Sequence, residues 1–335
     1  MNTMKLKFGL TPTLVTAALL LPLSAVAQNE GLVATQTLVR ADSKENVIPA
    51  ATAIALQLNG KSTPLTSLQP IPPSGAQVAL LIDDGLSRSA GIQLGDLKGF
   101  AEDMPPGVEV FVGYMRNGTV DQVVPFTTDH AQAAAAVRLP LGQPGISASP
   151  YFCLSEFVRH WPGAGSNFGD RGPTETDGAP GPQKARFVIL VTNGVDPYNG
   201  STSILNQDSP YVASAAVDAE RAGVSVSAVY YSDAGFRGGR GSFSGQSYLS
   251  QVADATGGTV FNMGPINPVS LKPYFDQFAH QLSETYIATF PADAGNGGKE
   301  HLVRLKMNTS IPKLKLRYAE NVRPGNLESS APPQK

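Results

Sequence analysis

The feature that most constrains this chain is a series of short, near-continuously apolar runs, separated by stretches with helical periodicity. The runs are VALLID (78–83), VEVFVGYM (108–115), TVDQVVPF (119–126), ARFVILVT (185–192), VSVSAVYY (224–231) and GTVFNM (258–263). A strand that is apolar on both faces has to be covered on both faces, and strands interleaved with helices read as βαβ units. The sequence therefore predicts an α/β fold with a Rossmann-like, doubly wound, mainly parallel sheet. The YMRNGTV turn makes 119–126 an antiparallel strand at the edge of that sheet.

The intervening helices carry their own start and stop signals. Ser149 before Pro150 opens a helix whose apolar face is Cys153, Leu154, Phe157, Val158 and Trp161. Ser209 before Pro210 repeats the device, with Gly223 as terminator. A third helix places Leu271, Phe275, Phe278 and Leu282 on one face.

Either side of this α/β region, 76–282, the pattern changes. Residues 28–48 are polar without clear periodicity and read as a mobile leader. Two short strands then flank Asn59 and Gly60, a hairpin-type turn, so 28–75 is a leader followed by a β-hairpin. After the last helix, ETYIATF, EHLVRLKM and KLKLRYA alternate as strands of an antiparallel appendage, 283–322, and 323–335 reads as a disordered tail. Two stretches rich in glycine, 163–183 and 233–245, read as loops without fixed structure.

The first residues have the three-part pattern of a secretory signal peptide: Lys5 and Lys7, an apolar stretch through LVTAALLLPLSA, and small Ala25 and Ala27 before Gln28. Cleavage after Ala27 is expected, giving a secreted or periplasmic protein. No later segment approaches the ~18 apolar residues of a spanning helix, so no membrane span is expected. The full chain has 25 basic and 27 acidic residues; loss of two lysines leaves 23 and 27, a formal charge of −4. That balance argues against a nucleic-acid partner, which would favour a basic face. A single cysteine, Cys153, forms no internal disulfide, so stability comes from a core that 41% hydrophobic residues can supply.

Chemistry is concentrated where LIDDG ends the first long strand. In a doubly wound sheet, ligands sit beyond the carboxyl ends of strands. Three distant segments should converge there: LIDDG, LVTNGVD and PGISASPY. Together they offer carboxylate and hydroxyl oxygens of the kind that Mg2+ prefers. The competing reading is backbone chemistry alone, since a strand-to-helix turn also favours Asp, Gly and Ser.

The strand ending in Asp, the later TNG and the intervening Gly/Ser segment resemble a von Willebrand factor type A domain of the secreted bacterial kind, over roughly 76–290. That family's metal-ion-dependent adhesion site takes Asp-x-Ser-x-Ser from a strand end, Thr from a second loop and Asp from a third. Carried over, Asp83 matches the first Asp and Ser87 the second Ser. Gly85 replaces the first Ser, Ser147 is nearest to the Thr, and Asn193 replaces the last Asp. The resemblance thus implies a degenerate site at Asp83, Ser87, Ser147 and Asn193. Either it holds Mg2+ or another divalent cation weakly, with Asp84 or Asp196 as substitute carboxylates, or it is metal-free.

Other classes fit less well. Receiver domains also place an acid pair after a first strand, but they need an acceptor Asp ending a third strand and a Lys after a fifth. For a hydrolase, Cys153 and His160 lie seven residues apart along one helix, roughly 10 Å at 1.5 Å per residue, too far for a direct pair. His130, His280 and His301 show no metal-ligand spacing, and no GxSxG or GxxxxGK(S/T) occurs. The leading expectation is a secreted, non-catalytic adhesion or protein-interaction module with a protein partner. The alternatives are an exported metal-dependent hydrolase and a metal-free structural envelope protein.

Overall fold

A computed structural model describes residues 31–43, 47–142, 149–163, 184–196, 209–232, 239–264, 266–293, 295 and 301–325. The signal-peptide pattern, Ser147, residues 164–183 and the last ten residues lie outside them.

The central sheet contains β5 (Ala76–Asp83), β6 (Glu109–Arg116), β7 (Thr119–Thr127), β8 (Ala185–Thr192), β9 (Val224–Tyr230) and β10 (Val260–Phe261), in the spatial order β10-β9-β8-β5-β6-β7. All adjacent pairs are parallel except β6 with β7, which turn through Asn117 and Gly118 at φ 51° and 81°. The chain leaves β5 in one direction to β6 and later returns to β8 on its other side. This is the doubly wound arrangement, with its topological switch point between β5 and β8.

Period-two side-chain alternation divides β5 between two cores. Val78, Leu80 and Ile82 join the face covered by α1 (Leu94–Glu102), α2 (His130–Ala136) and α6 (Lys272–Ser283). Ala79 and Leu81 join the face covered by α3 (Pro150–Arg159), α4 (Pro210–Ala222) and α5 (Gly239–Thr256). The cap at Ser149 is present, its Oγ accepting from Tyr151 N–H, and Gly223 ends α4 at φ 65°. Cys153 is buried, and the lost solvation pushes its thiol up to about 12. Among the described residues, no helix is long and apolar enough to cross a membrane.

The terminal segments differ from expectation. Residues 32–42 form β1 (Leu32–Asp42), which pairs with β11 (Thr285–Asp293) from Leu32↔Asp293 to Arg40↔Thr285. Its inward residues are Thr35, Thr37, Val39 and Ala41. The period of two is therefore present, but threonines at inward positions hide it from a reading based on hydrophobicity. The expected hairpin is β2 (Ile54–Leu58) and β3 (Lys61–Thr63), with Asn59 and Gly60 both at positive φ. β4 (Ser67–Pro70) follows.

These strands and those of the carboxyl end complete one another's sheets. One sheet runs β13 (Lys315–Tyr318), β1, β11, β4; the other runs β14 (Asn321–Val322), β12 (Val303–Thr309), β2, β3. Val39, Phe290, Leu56, Leu305 and Met307 share the core that both sheets supply. The leader with its hairpin and the appendage are thus two halves of one β-sandwich, with the α/β unit inserted between them. A third correction concerns 233–245: α5 begins at Gly239, so the second half of that stretch is helical.

Candidate functional site

Asp83 ends β5 and Thr192 ends the neighbouring β8, so their side chains meet at the carboxyl edge of the sheet. One carboxylate oxygen of Asp83 accepts Gly85 N–H at 2.8 Å, and the other accepts the Thr192 hydroxyl at 2.7 Å. The same hydroxyl accepts Gly194 N–H at 3.1 Å. A buried relay therefore stitches the loop after β8 to the end of β5. Tyr151, buried and with its phenol raised by that burial, donates to Gly194 O at 2.8 Å and holds the same loop from α3.

The remaining candidates are drawn into local structure. Asn193 lies at the same edge as Asp83, but its side-chain oxygen accepts Val195 N–H at 2.9 Å and caps its own loop. Ser87 and Ser89 hydroxyls are 2.6 Å apart. Asp196 is buried and accepts the Ser209 hydroxyl at 2.8 Å, which is why Ser209 does not cap α4 as expected. Ser147 lies outside the described residues.

Asp84 points into a second network. Its Oδ1 accepts Arg138 Nη1 at 2.8 Å and Leu141 N–H at 2.9 Å, and its backbone oxygen accepts Gly142 N–H at 2.8 Å. The Arg138 guanidinium stacks 3.7 Å from the Tyr114 ring centroid. The Tyr114 hydroxyl donates to Arg138 O at 2.6 Å and accepts Arg138 N–H at 2.7 Å. The first carboxylate of the pair thus secures the sheet's switch point, and the second pins the loop after α2.

Among the described residues, these contacts already give Asp83 and one oxygen of Asp84 protein donors. An octahedral Mg2+ site takes one or two carboxylates together with hydroxyl and water oxygens. Here both oxygens of Asp83 already accept protein donors, Thr192 spends its proton on Asp83, and Asp84 Oδ1 is paired with Arg138, while the buried Asp84 Oδ2 has no hydrogen-bond partner among the described residues. Among the described residues, no three His, Cys, Asp or Glu side chains converge. The histidines offer nothing in their place: His130 bonds to Val108 O, while His160 and His280 sit on exposed helix ends beside glutamates.

The same edge carries a feature the sequence reading missed. The loop from β10 to α6 crosses the carboxyl ends of the strands. Asn262 donates to Tyr230 O at 2.9 Å, Asn267 to Ser232 O at 2.5 Å, and Gln93 to Pro268 O at 3.0 Å. It leaves Met263, Ile266 and Val269 exposed, Val269 at 97%. Ile92, 77% exposed, follows the β5 turn, and Leu139 and Leu141 project from the loop held by Asp84. Six of the ten exposed large hydrophobic residues among those described therefore gather on three loops at one edge. Single exposed apolar residues are ordinary; here the segments that carry them are tied together by Gln93 to Pro268 O and Val269 O and by Leu141 N–H to Asp84.

No protein-family model and no curated protein matches the chain. Solved structures similar to it include a von Willebrand factor type A protein from Catenulispora acidiphila, at 12% identity over 88% of this chain and 75% of that one, TM-score 0.41. The pilus adhesin SpaC from Lactobacillus rhamnosus GG is 10% identical over 84% of this chain and 46% of the adhesin, TM-score 0.42. An aerotolerance-related membrane protein from Bacteroides fragilis is 12% identical over 62% of this chain and 98% of its own, TM-score 0.38. The doubly wound fold itself rests on strand order and connections rather than on these scores.

Proposed function

We propose that this chain is an exported, non-catalytic interaction module of the von Willebrand factor type A kind, which engages a protein partner through the carboxyl edge of its sheet without a resident metal. The observation that carries this reading is the exposure of Ile92, Leu139, Leu141, Met263, Ile266 and Val269 on three segments that hydrogen bonds hold to the carboxyl edge of the sheet. A partner that covers these side chains removes apolar surface from water at roughly 25 cal/mol per Å2. The buried hydrogen bonds beneath them hold the loops in place, which lowers the ordering cost of association. The partner's contact is thus with apolar loop tips, while the polar residues of the degenerate site serve as their foundation.

Site-specific photo-crosslinking tests this reading in cells that make the full chain. A photoreactive residue at Ile92, Leu139 or Val269 is expected to give one common adduct, in undiminished yield when divalent ions are chelated. The same residue at exposed Leu32, on the sandwich, is expected to give none of it. Absence of an adduct from all three rim positions, or the same adduct from Leu32, contradicts the proposal.

A further inference from the structure

A second site, independent of the sheet edge, lies where β1 and β13 of the sandwich meet β9 and α6 of the α/β unit. In the register of β1 with β13, Arg40 stands directly opposite Arg317. Like charges so placed destabilise one another unless a counter-charge lies between them. Arg40 is only 6% exposed. Its Nη1 and Nη2 donate to neutral acceptors, Gln281 Oε1 and Thr259 Oγ1, both at 2.8 Å, and its buried Nε has no partner.

The nearby carboxylates are engaged elsewhere. Asp42 lies 3.9 Å and Asp254 3.6 Å from Arg317, and Glu284 lies 3.3 Å from His280. Among the described residues Arg40 therefore has no ion pair. A buried charge without a partner is costly. Burial, and then the Arg317 charge opposite, push the Arg40 guanidinium down to about 10, with Asp42 and Glu284 opposing the fall.

Both arginines line a crevice of about 20 Å3, and no Asp or Glu is among the described residues of its wall. Ser225 and Ser227 of β9, two apart and so on one face, line it together with Gln281. Among the described residues the Ser225 hydroxyl makes no hydrogen bond. Ser227 Oγ accepts Thr259 N–H at 3.1 Å and keeps its proton, and Gln281 meets Arg40 through its oxygen, so its amide hydrogens are unspent. The wall thus combines two positive charges with unspent donors at Arg40 Nε, Ser225, Ser227 and Gln281.

Size and charge together select the ligand. One water-sized guest needs roughly 10–15 Å3, so the space suits a single monatomic occupant. A water would accept from these donors but would bring no charge to offset the guanidiniums. We infer that this crevice binds a small monovalent anion of the halide class between Arg40 and Arg317, and that the ion clasps the sandwich to the α/β unit.

Thermal unfolding of the full chain, dialysed free of halide into sodium gluconate, tests this against sodium chloride at equal ionic strength. Chloride is expected to raise the melting temperature saturably by about 2–4 °C, the scale of a ligand at about five times its Kd. Arg317 is exposed, so Arg317→Gln is expected to fold and to lose the rise. Arg40→Gln is expected to lose it as well; should that variant not fold, Arg317→Gln and Ser227→Ala carry the test. Crystals soaked in sodium bromide are expected to show an anomalous peak between Arg40 and Arg317. Superimposable curves in the two salts, a chloride effect that Arg317→Gln retains, or bromide only at other positions as an adventitious ion would each overturn the inference.

Discussion

Asp83 is 5% exposed, and a carboxylate so placed needs either an ion or donors. Its donors are Thr192 Oγ and Gly85 N–H, so loss of the side chain strands two buried donors, each costing about 1–3 kcal/mol. Asp83→Ala is therefore expected to lower stability in urea unfolding by roughly 2–4 kcal/mol, and Asp83→Asn, which keeps one acceptor, by less. Equal stability of Asp83→Ala and wild type would remove the structural role assigned to this residue. Glu220 presents the opposite case. It is buried on α4, accepts Asn321 N–H at 3.0 Å and the Asn321 side-chain amide at 2.9 and 3.0 Å, and so joins the α/β unit to the sandwich. Burial raises its carboxyl to about 7 against the opposing Asn321 bonds; Glu320 adds to the rise and Arg221 reduces it. The folded state therefore holds this proton more tightly than the unfolded chain does. That contribution is fully present below the ordinary glutamate value near 4.3 and is lost as pH rises through about 7, a change of at most about 4 kcal/mol. Unfolding curves between pH 4 and 8 should show wild type losing stability relative to Glu220→Gln over that window; parallel pH dependences would contradict the assignment.

At the scale of elements, the loop after β8 depends on α5 as much as on β5. A Cβ at Gly245 would overlap the carbonyl oxygen of Asn193, so only glycine lets this helix seat against that loop. Gly245→Ala is expected to destabilise by about 1–3 kcal/mol through overpacking, and to raise hydrogen exchange at Gly194 and Val195; an unchanged melting temperature would show that the helix can shift freely. The same helix shows where sequence reading reaches its limit. Strands β5, β6, β8 and β9 were legible because burial on both faces writes itself as continuous apolar runs, and the α3 cap because Ser149-Pro150 has one local meaning. The start of α5 was hidden, since Gly239 to Gly245 carries turn-forming residues whose helical state is imposed by the buried Tyr248, Leu249 and Val252 beyond them. β1 was hidden by inward threonines. Thr192, the partner of Asp83, was passed over for Asn193 because strand register, not motif position, decides which residue faces the carboxylate.

For the whole molecule, the α/β unit is held at both ends: β4 leads into β5, and α6 into β11, whose sheet also contains β1 and β4. The doubly wound sheet implied by the family resemblance is present, and the sandwich joining both flanks was beyond local reading because its pairings span more than 240 residues. The apolar rim was equally illegible, because exposure of Val269 or Leu141 is a property of the assembled edge rather than of MGPINPV or LPLG as strings. Export is expected to yield a mature chain beginning at Gln28, which mass spectrometry of the native product checks; an intact Met1 product in the cytosol would contradict it. The central claim is that the carboxyl edge is closed by protein hydrogen bonds and works without an ion. Thermal unfolding of wild type and Asp83→Asn, each with EDTA and with millimolar Mg2+ or Mn2+, tests it most directly. A ligand held only by the native state raises stability by RT ln(1 + [L]/Kd). The account predicts superimposable wild-type curves with and without metal; a saturable rise in wild-type melting temperature that Asp83→Asn abolishes would contradict it.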